Sequence, residues 1–201
     1  MSEDKKRVID RIKAAADNGD LDSQFILATM YDRLVEYRNK EEAFKYYTLA
    51  AENGIAEAQY RLGDIYYYNK DLILANINKE LAFKYYKLAA DNGYAPAQYV
   101  LGSIYYQGMK EYITSTGESV TVVSANSEEA LKYYKLAAFG GVDKALINVL
   151  ALCYAENKFE DFEQFYVIAS NSENEKIRLD ANNIYLSYIR KKKQLGYSKL
   201  K

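Results

Sequence analysis

The feature that most limits what this chain can fold into is that it repeats itself. Lys45-Tyr-Tyr-Thr-Leu-Ala-Ala-Glu-Asn-Gly54 returns as Lys84-Tyr-Tyr-Lys-Leu-Ala-Ala-Asp-Asn-Gly93 and again as Lys132-Tyr-Tyr-Lys-Leu-Ala-Ala-Phe-Gly-Gly141. A weaker copy, Ile12-Lys-Ala-Ala-Ala-Asp-Asn-Gly19, precedes them. A second block follows each of the first three glycines: Ser23-Gln-Phe-Ile-Leu-Ala-Thr-Met-Tyr31, Ala58-Gln-Tyr-Arg-Leu-Gly-Asp-Ile-Tyr66 and Ala97-Gln-Tyr-Val-Leu-Gly-Ser-Ile-Tyr105. The glycines are unevenly spaced, and the extra length falls within 67–78 and 107–126, between the two blocks. A fixed unit lengthened at one point is the signature of a solenoid, whose units bury their apolar sides against one another.

Both blocks carry a helical period. Ala43, Tyr47 and Ala50 share one helix face, as do Gln59, Leu62, Gly63 and Tyr66. Asn39, Asn78 and Asn126 occupy equivalent positions as expected N-caps, with Glu42 and Glu129 placed to complete capping boxes, and Asp4 is the matching cap at the start. Gly19, Gly54, Gly93 and Gly141 then stop each helix, and Pro96 falls in a first turn, where its missing N–H does no harm. Gly63 and Gly102 inside helices imply close approach of a neighbouring helix. Ala28 fits that position in the first repeat, but Leu150 and Cys153 in the fourth imply different packing there.

Composition removes several classes of function. Lys and Arg number 27 against 28 Asp and Glu, too balanced for a surface that wraps nucleic acid. With no His and the single Cys153, neither a thiolate–imidazole zinc site nor a disulfide framework is available, and a reducing, cytoplasmic setting is expected. No apolar run reaches signal-peptide or membrane-spanning length; export without an N-terminal signal is the alternative location. Catalysis lacks its commonest base, and there is no Gly-x-x-x-x-Gly-Lys phosphate loop. The pairs Glu41/Glu42 and Glu128/Glu129 sit at helix starts, where they favour the dipole. No cofactor is expected.

The pattern Ala-x-Gln-Tyr-x-Leu-Gly-x-x-Tyr, then Glu-Glu-Ala-x-x-Tyr-Tyr-x-Leu-Ala-Ala-x-x-Gly after a variable loop, resembles the Sel-1-like repeats, relatives of tetratricopeptide repeats. The resemblance implies an all-α fold, a right-handed α-α superhelix of helix-turn-helix units. On that phasing one domain spans 1–201. A capping helix at 4–17 is followed by repeats at 20–54, 55–93, 94–141 and 142–173, a terminal helix at 174–192 and a basic tail at 193–201. Ile184 and Tyr185 of the last helix stand where Ile65 and Tyr66 stand in the second repeat. The resemblance also implies an adaptor that binds another protein or peptide. A cysteine-rich bacterial subgroup with a disulfide in each repeat is disfavoured, because those cysteines are missing.

If the first helix of each unit lines the inner side, as in tetratricopeptide repeats, the inward positions follow. They are Asp22, Phe25, Thr29, Asp32 and Arg33, then Glu57, Tyr60, Asp64, Tyr67 and Tyr68. The third unit supplies Pro96, Tyr99, Ser103, Tyr106 and Gln107, and the fourth Lys144, Ile147, Ala151, Tyr154 and Ala155. Phe25, Tyr60, Asp64, Tyr67, Tyr68, Tyr99, Tyr106, Ile147 and Tyr154 are the candidate protein-binding residues, suited to a peptide with apolar anchors and some basic residues. Tyr60 and its equivalents serve either packing or ligand contact, whereas the Tyr-Tyr pairs at 46, 85 and 133 read as core. The insertion at 107–126 alternates like two short strands around a glycine turn, a β-hairpin or a polar loop able to carry recognition. The Arg190–Lys193 run, with Lys199 and Lys201, completes a helix C-terminus or contacts an anionic surface. An adaptor, a secreted effector or enzyme regulator of the same architecture, and a carboxylate-based hydrolase are the functional readings.

Overall fold

Every repeated block folds as a helix. The computed structural model describes residues 3–68, 78–113 and 118–197. Its elements are α1 (Glu3–Asp17), α2 (Leu21–Arg33), α3 (Lys40–Glu52), α4 (Ala56–Tyr68), α5 (Lys79–Asp91) and α6 (Ala95–Gln107). After them come β1 (Met109–Ile113), β2 (Glu118–Val123), α7 (Ser127–Phe139), α8 (Asp143–Glu156), α9 (Phe159–Ser170) and α10 (Glu175–Gln194). The fold is all-α, built of helix-turn-helix repeats of the solenoid class, with one small antiparallel hairpin, β1–β2. Most of the insertion at 67–78 and the hairpin turn at 114–117 lie outside the described residues, as do Lys199 and Lys201.

The stop and start signals act as expected at most ends. Gly19, Gly54, Gly93 and Gly141 take φ of 90°, 90°, 80° and 85°. The N–H that follows each one donates back across the turn, as from Ile55 to the Ala50 carbonyl (3.0 Å) and from Tyr94 to that of Ala89 (2.9 Å). Asn39 Oδ1 accepts from the N–H groups of Glu41 and Glu42, Asn126 Oδ1 from those of Glu128 and Glu129, and Asn78 Oδ1 from that of Leu81. Two expectations need correction. Asp4 lies inside α1 rather than before it. Neither Glu42 nor Glu129 completes a capping box, because the cap N–H it would accept from is bonded elsewhere; Glu42 and Glu129 pair instead with Lys45 (3.7 Å) and Lys132 (3.2 Å).

The backbone explains why the box is dispensable. The N–H of each cap asparagine already donates to the tyrosine carbonyl near the end of the preceding helix: Asn39 to Tyr31 (2.9 Å), Asn78 to Tyr66 (3.0 Å) and Asn126 to Tyr105 (2.7 Å). One hydrogen bond thus closes the helix pair at its open end, whatever length of chain lies between. The variable insertions leave and return through this fixed staple, and loop-closure cost grows only slowly with length.

The chain divides into two compact units, Met1–Ala97 with Met109–Val122, and Gln98–Gly108 with Val123–Lys201. In the first, Leu27, Ala28, Tyr46, Tyr47, Ala50, Ala58 and Leu62 form a continuous core. In the second, Tyr134, Val149, Leu150, Phe162, Phe165 and Tyr188 do so, with Cys153 among them. Alanines let the helix axes approach, and tyrosine rings fill the remaining space. Gln24 and Gln59 are buried between helices, where each Nε2 donates to a late carbonyl of the preceding helix, Ala16 (3.2 Å) and Ala51 (3.0 Å), adding to the backbone N–H of Gly19 or Gly54 that already bonds it.

Candidate functional site

The tyrosines sort into three positions with different partners. The first member of each Tyr-Tyr pair lies against the tyrosine that ends the block on the preceding helix. Tyr46 stacks on Tyr31, Tyr85 on Tyr66 and Tyr133 on Tyr105, with interplanar angles of 19°, 3° and 7°. The second member crosses to the middle of that helix. Tyr86 lies on Gly63 and Tyr134 on Gly102 so closely that an added Cβ would stand 2.6 Å and 2.5 Å from the ring. Its hydroxyl then donates to the polar residue beside the glycine, Asp64 (2.9 Å) or Ser103 (3.1 Å). The helical glycines therefore admit a tyrosine ring from the partner helix of their own unit.

The third position is the consensus aromatic of the first helix. Phe25 packs on Tyr47 at 6.1 Å, Tyr60 on Tyr86 at 5.7 Å and Tyr99 on Tyr134 at 5.8 Å, each tilted by about 50°. All three are half-buried, so one edge serves packing and the other faces outward. In the fourth repeat, where Leu150 replaces the glycine, Tyr166 stacks instead on Tyr185 of α10 at 4.1 Å and donates to Asn182.

Around Tyr60 the first unit assembles a mixed polar and aromatic face. Tyr94 lies 5.3 Å from Tyr60 on its other side, and the Arg61 guanidinium sits 5.5 Å from the Tyr60 ring. Arg61 bridges Glu57 (3.2 Å) and Asp64 (3.6 Å), so the carboxylates on this face are already partnered by a cation. Burial raises the Asp64 carboxyl above its usual range, opposed by the hydrogen bond from Tyr86 and the charge of Arg61, while Asp32 adds to the rise. Burial likewise raises the Tyr60 hydroxyl. Arg61 and Tyr94 were not among the sequence candidates. The i,i+4 spacing of Glu57 and Arg61 signals the first, but nothing in the repeat signals the second, because Ile55 and Val142 occupy its equivalents.

Further along α4, Tyr67 and Tyr68 meet edge to face at 4.6 Å, with the Lys79 ammonium 5.5 Å from the Tyr67 ring. Tyr68 is 70% exposed. In the second unit Tyr106 is 56% exposed, whereas Ile147 packs against the core. Tyr154 carries the Lys191 ammonium 4.6 Å from its ring centroid, and the same ammonium donates to its carbonyl. Phe25, Tyr60, Tyr99, Ile147 and Tyr154 are thus partly committed to packing. Tyr60, Asp64, Tyr67 and Tyr68 gather on one helix, and Tyr68 and Tyr106 are the candidates the core leaves most exposed.

The hairpin is anchored at its base by buried Met109, and the Lys79 ammonium donates to the Lys110 carbonyl. Val120 points outward at 51% exposure. In the basic stretch, Lys192 pairs with Glu163, which also accepts from the Tyr188 hydroxyl (2.6 Å). Lys192 and Tyr188 together hold the Glu163 carboxyl below the usual range. Lys191 and Lys192 of the expected basic cluster are therefore engaged on the protein's own surface.

Cys153 is fully buried, and burial pushes its thiol up to about 12. At pH 8 iodoacetamide is expected to leave it unmodified in the native protein and to label it once urea unfolds the chain, as mass spectrometry reads directly. Among the described residues no group of three or more His, Cys, Asp or Glu is placed to hold a metal ion, and no helix is long and apolar enough to cross a membrane.

Helix pairs stapled at one end, packed through tyrosine on glycine and leaving aromatic edges outward, define a helix-turn-helix repeat protein of the tetratricopeptide-like class. Residues 21–55, 56–94 and 95–141 each match the Sel1 repeat, and the chain belongs to the Sel1 repeat family, whose members are generally protein-interaction scaffolds. A Sel1 repeat protein from Oxalobacter formigenes is 30% identical over 71% of this chain and 97% of its own, with a TM-score of 0.59. The c5321 protective antigen of uropathogenic Escherichia coli strains, which displays an SLR fold, is 23% identical over 96% of this chain and 44% of its own, with a TM-score of 0.63. Helicobacter pylori cysteine rich protein B is 22% identical over 71% of this chain and 92% of its own, with a TM-score of 0.51. These last two likenesses concern the fold alone. No curated protein matches the chain.

Proposed function

We propose that this protein is an adaptor that binds a segment of another protein through the outward aromatic edges of its first helices, with the β1–β2 hairpin as a flanking contact. The observation that carries the reading is the division of the tyrosines. Most of the described tyrosines are buried or half-buried against other rings, while Tyr68, which meets Tyr67 edge to face, and Tyr106 remain 70% and 56% exposed at the ends of α4 and α6. An exposed tyrosine offers a large apolar area, a polar tip and little rotamer entropy to lose, which suits a binding surface. The paired Glu57–Arg61–Asp64 network beside Tyr60 adds hydrogen-bonding capacity of both signs. A ligand segment with an apolar anchor and a mixed polar flank fits it better than a purely basic one. The single buried thiol suits the reducing cytoplasm as the place of action.

Affinity capture from a lysate of the source cell tests the reading. The wild type is compared with Tyr68→Ala/Tyr106→Ala and with a chain whose residues 110–122 are replaced by a short Gly-Ser link. The double variant is expected to lose most of the partner recovered by the wild type, by roughly tenfold or more for two interface aromatics. The hairpin replacement is expected to lose less. Undiminished recovery by the double variant would overturn the assignment of these tyrosines.

A further inference from the structure

The turns that end α1, α3 and α5 contain the same reactive peptide. Asn18-Gly19, Asn53-Gly54 and Asn92-Gly93 are the chain's three Asn-Gly pairs, and all are exposed. Asparagine is a thermolabile residue, and a following glycine has no side chain to shield its nitrogen. That nitrogen can attack the asparagine amide carbon. The N–Cγ bond forms as the Cγ–Nδ2 bond breaks, and the amide nitrogen leaves as ammonia, its third hydrogen balancing the one that the glycine nitrogen loses. Water then opens the five-membered imide. Opening at Cγ leaves aspartate, and opening at the main-chain carbonyl leaves isoaspartate.

The backbone protects the three nitrogens alike. The glycine N–H groups donate to Ala16, Ala51 and Ala90 at 3.0, 3.1 and 3.0 Å, and the next N–H groups donate to Ala15, Ala50 and Ala89 at 3.0, 3.0 and 2.9 Å. What differs is the side-chain amide. Asn53 Nδ2 donates back to the Leu49 carbonyl (2.8 Å), and Asn92 Nδ2 donates to Gln59 Oε1 (2.9 Å). Each bond must break before Cγ can turn to the glycine nitrogen. Ala14 stands in α1 where Leu49 stands in α3, yet its carbonyl receives the Asn18 backbone N–H (3.1 Å) and not the amide. Among the described residues nothing bonds the Asn18 amide. The acceptor that Asn53 uses lies in its own helix, so the contrast is set within the turn itself.

We propose that Asn18 is a site of spontaneous deamidation, converting in the folded protein ahead of Asn53 and Asn92. Aspartate there adds a negative charge between Asp17 and Asp20, at the negative end of the α1 dipole. Isoaspartate lengthens the main chain by one carbon just before the Gly19 and Asp20 N–H groups that close the turn. Both products act where α1 is fastened. Asp17 accepts from the Tyr46 hydroxyl of α3 (2.6 Å), and the Ala16 carbonyl accepts from Gln24 of α2 (3.2 Å). This chemistry is independent of what the aromatic edges bind.

Ageing the purified full chain at mildly alkaline pH, native and in urea, tests the proposal. Labelling by isoaspartyl methyltransferase and mass spectrometry of the digested chain follow each site. Dividing by the rate in urea removes the influence of the residues after each glycine, Asp20, Ile55 and Tyr94. On that scale Asn18 is expected to convert about two- to tenfold faster than Asn53 or Asn92, the factor that one net hydrogen bond supplies. Asn18→Gly, which copies the Gly140-Gly141 turn after α7, is expected to abolish the earliest label. Gln59→Leu, which removes the acceptor of Asn92, is expected to raise the Asn92 rate toward that of Asn18. The wild-type rates decide the order by themselves, whatever the fold of Gln59→Leu. The proposal is overturned if Asn53 or Asn92 converts as fast as Asn18 on that scale, or if Asn18 stays intact while the chain in urea converts. Persistence of the earliest label in Asn18→Gly, or an unchanged Asn92 rate in folded Gln59→Leu, would overturn it as well.

Discussion

Replacing Tyr86 with alanine is expected to lower the free energy of unfolding by about 3–5 kcal/mol, the range for truncating a buried aromatic side chain. Its ring is 1% exposed, rests directly on Gly63, and meets Tyr60 and Tyr67 at 5.7 and 6.4 Å. Truncation opens a cavity that a helical glycine cannot fill. It also strips Asp64 of the hydroxyl that donates to it, leaving a half-buried carboxyl that burial already raises. Tyr86→Phe separates the two contributions, since it keeps the ring and removes only the donor. It is expected to cost about 1–2 kcal/mol, toward the low end for a charge-assisted bond because Asp64 keeps Arg61 and some solvent. Urea titrations followed by far-UV circular dichroism measure both, with the m-value checked for constancy. A Tyr86→Ala cost below about 1 kcal/mol would contradict the packing described, since the site would then collapse without loss.

The complementary substitution acts from the other helix. Gly102→Leu is expected to destabilise the protein by about 2–3 kcal/mol, although leucine is intrinsically the better helix former by nearly 1 kcal/mol. The reason is steric: the first added carbon would already stand 2.5 Å from Tyr134 Cδ1, and that ring is buried. Tyr134→Ala in the same chain removes the obstacle. The double variant is therefore expected to be more stable than the sum of the two single costs by about 1–3 kcal/mol, the coupling range for residues in direct contact. Simple additivity would mean that the glycine is there for some other reason. The fourth repeat performs a version of this exchange already, with Leu150 in place of the glycine and Tyr166 turned to Tyr185.

These two positions also show what the sequence makes legible and what it hides. Helix existence, the asparagine caps and the left-handed glycines are local signals, each set by a few adjacent residues, and they read correctly at Asn39, Gly54 and Asn126. Asp4 misleads because nothing local distinguishes an acid before a helix from one inside its first turn. Gly63 as the counterpart of Tyr86 is a pairing between helices, and one chain's pattern cannot say which helix approaches. The hairpin is legible from alternation at 119–123, although β1 starts earlier, at Met109. The sharing of the tyrosines between core and surface stays hidden because tyrosine suits both. Tyr60 lies inside the repeated block and Tyr68 beyond it, which marks Tyr68 as the better interface candidate, but only the structure sets Tyr60 against Tyr86 and Tyr94 and leaves Tyr68 70% exposed. Lys192 on Glu163 is hidden for the same reason as the glycine pairing, since it joins two helices.

Fold and proposed function meet in one claim: interlocked tyrosines hold the repeats together, and the exposed Tyr68 and Tyr106 are proposed as the binding surface. Site-specific photo-crosslinking tests it most directly. A benzophenone side chain replaces Tyr68, Tyr106, Val120 on the hairpin, or Lys84, an exposed residue on a second helix, and each chain is irradiated in lysate of the source cell. The account expects one shared partner band from positions 68 and 106, a weaker or absent band from 120, and none from 84. A band that forms from position 84 alone, or equally from all four positions, would contradict it.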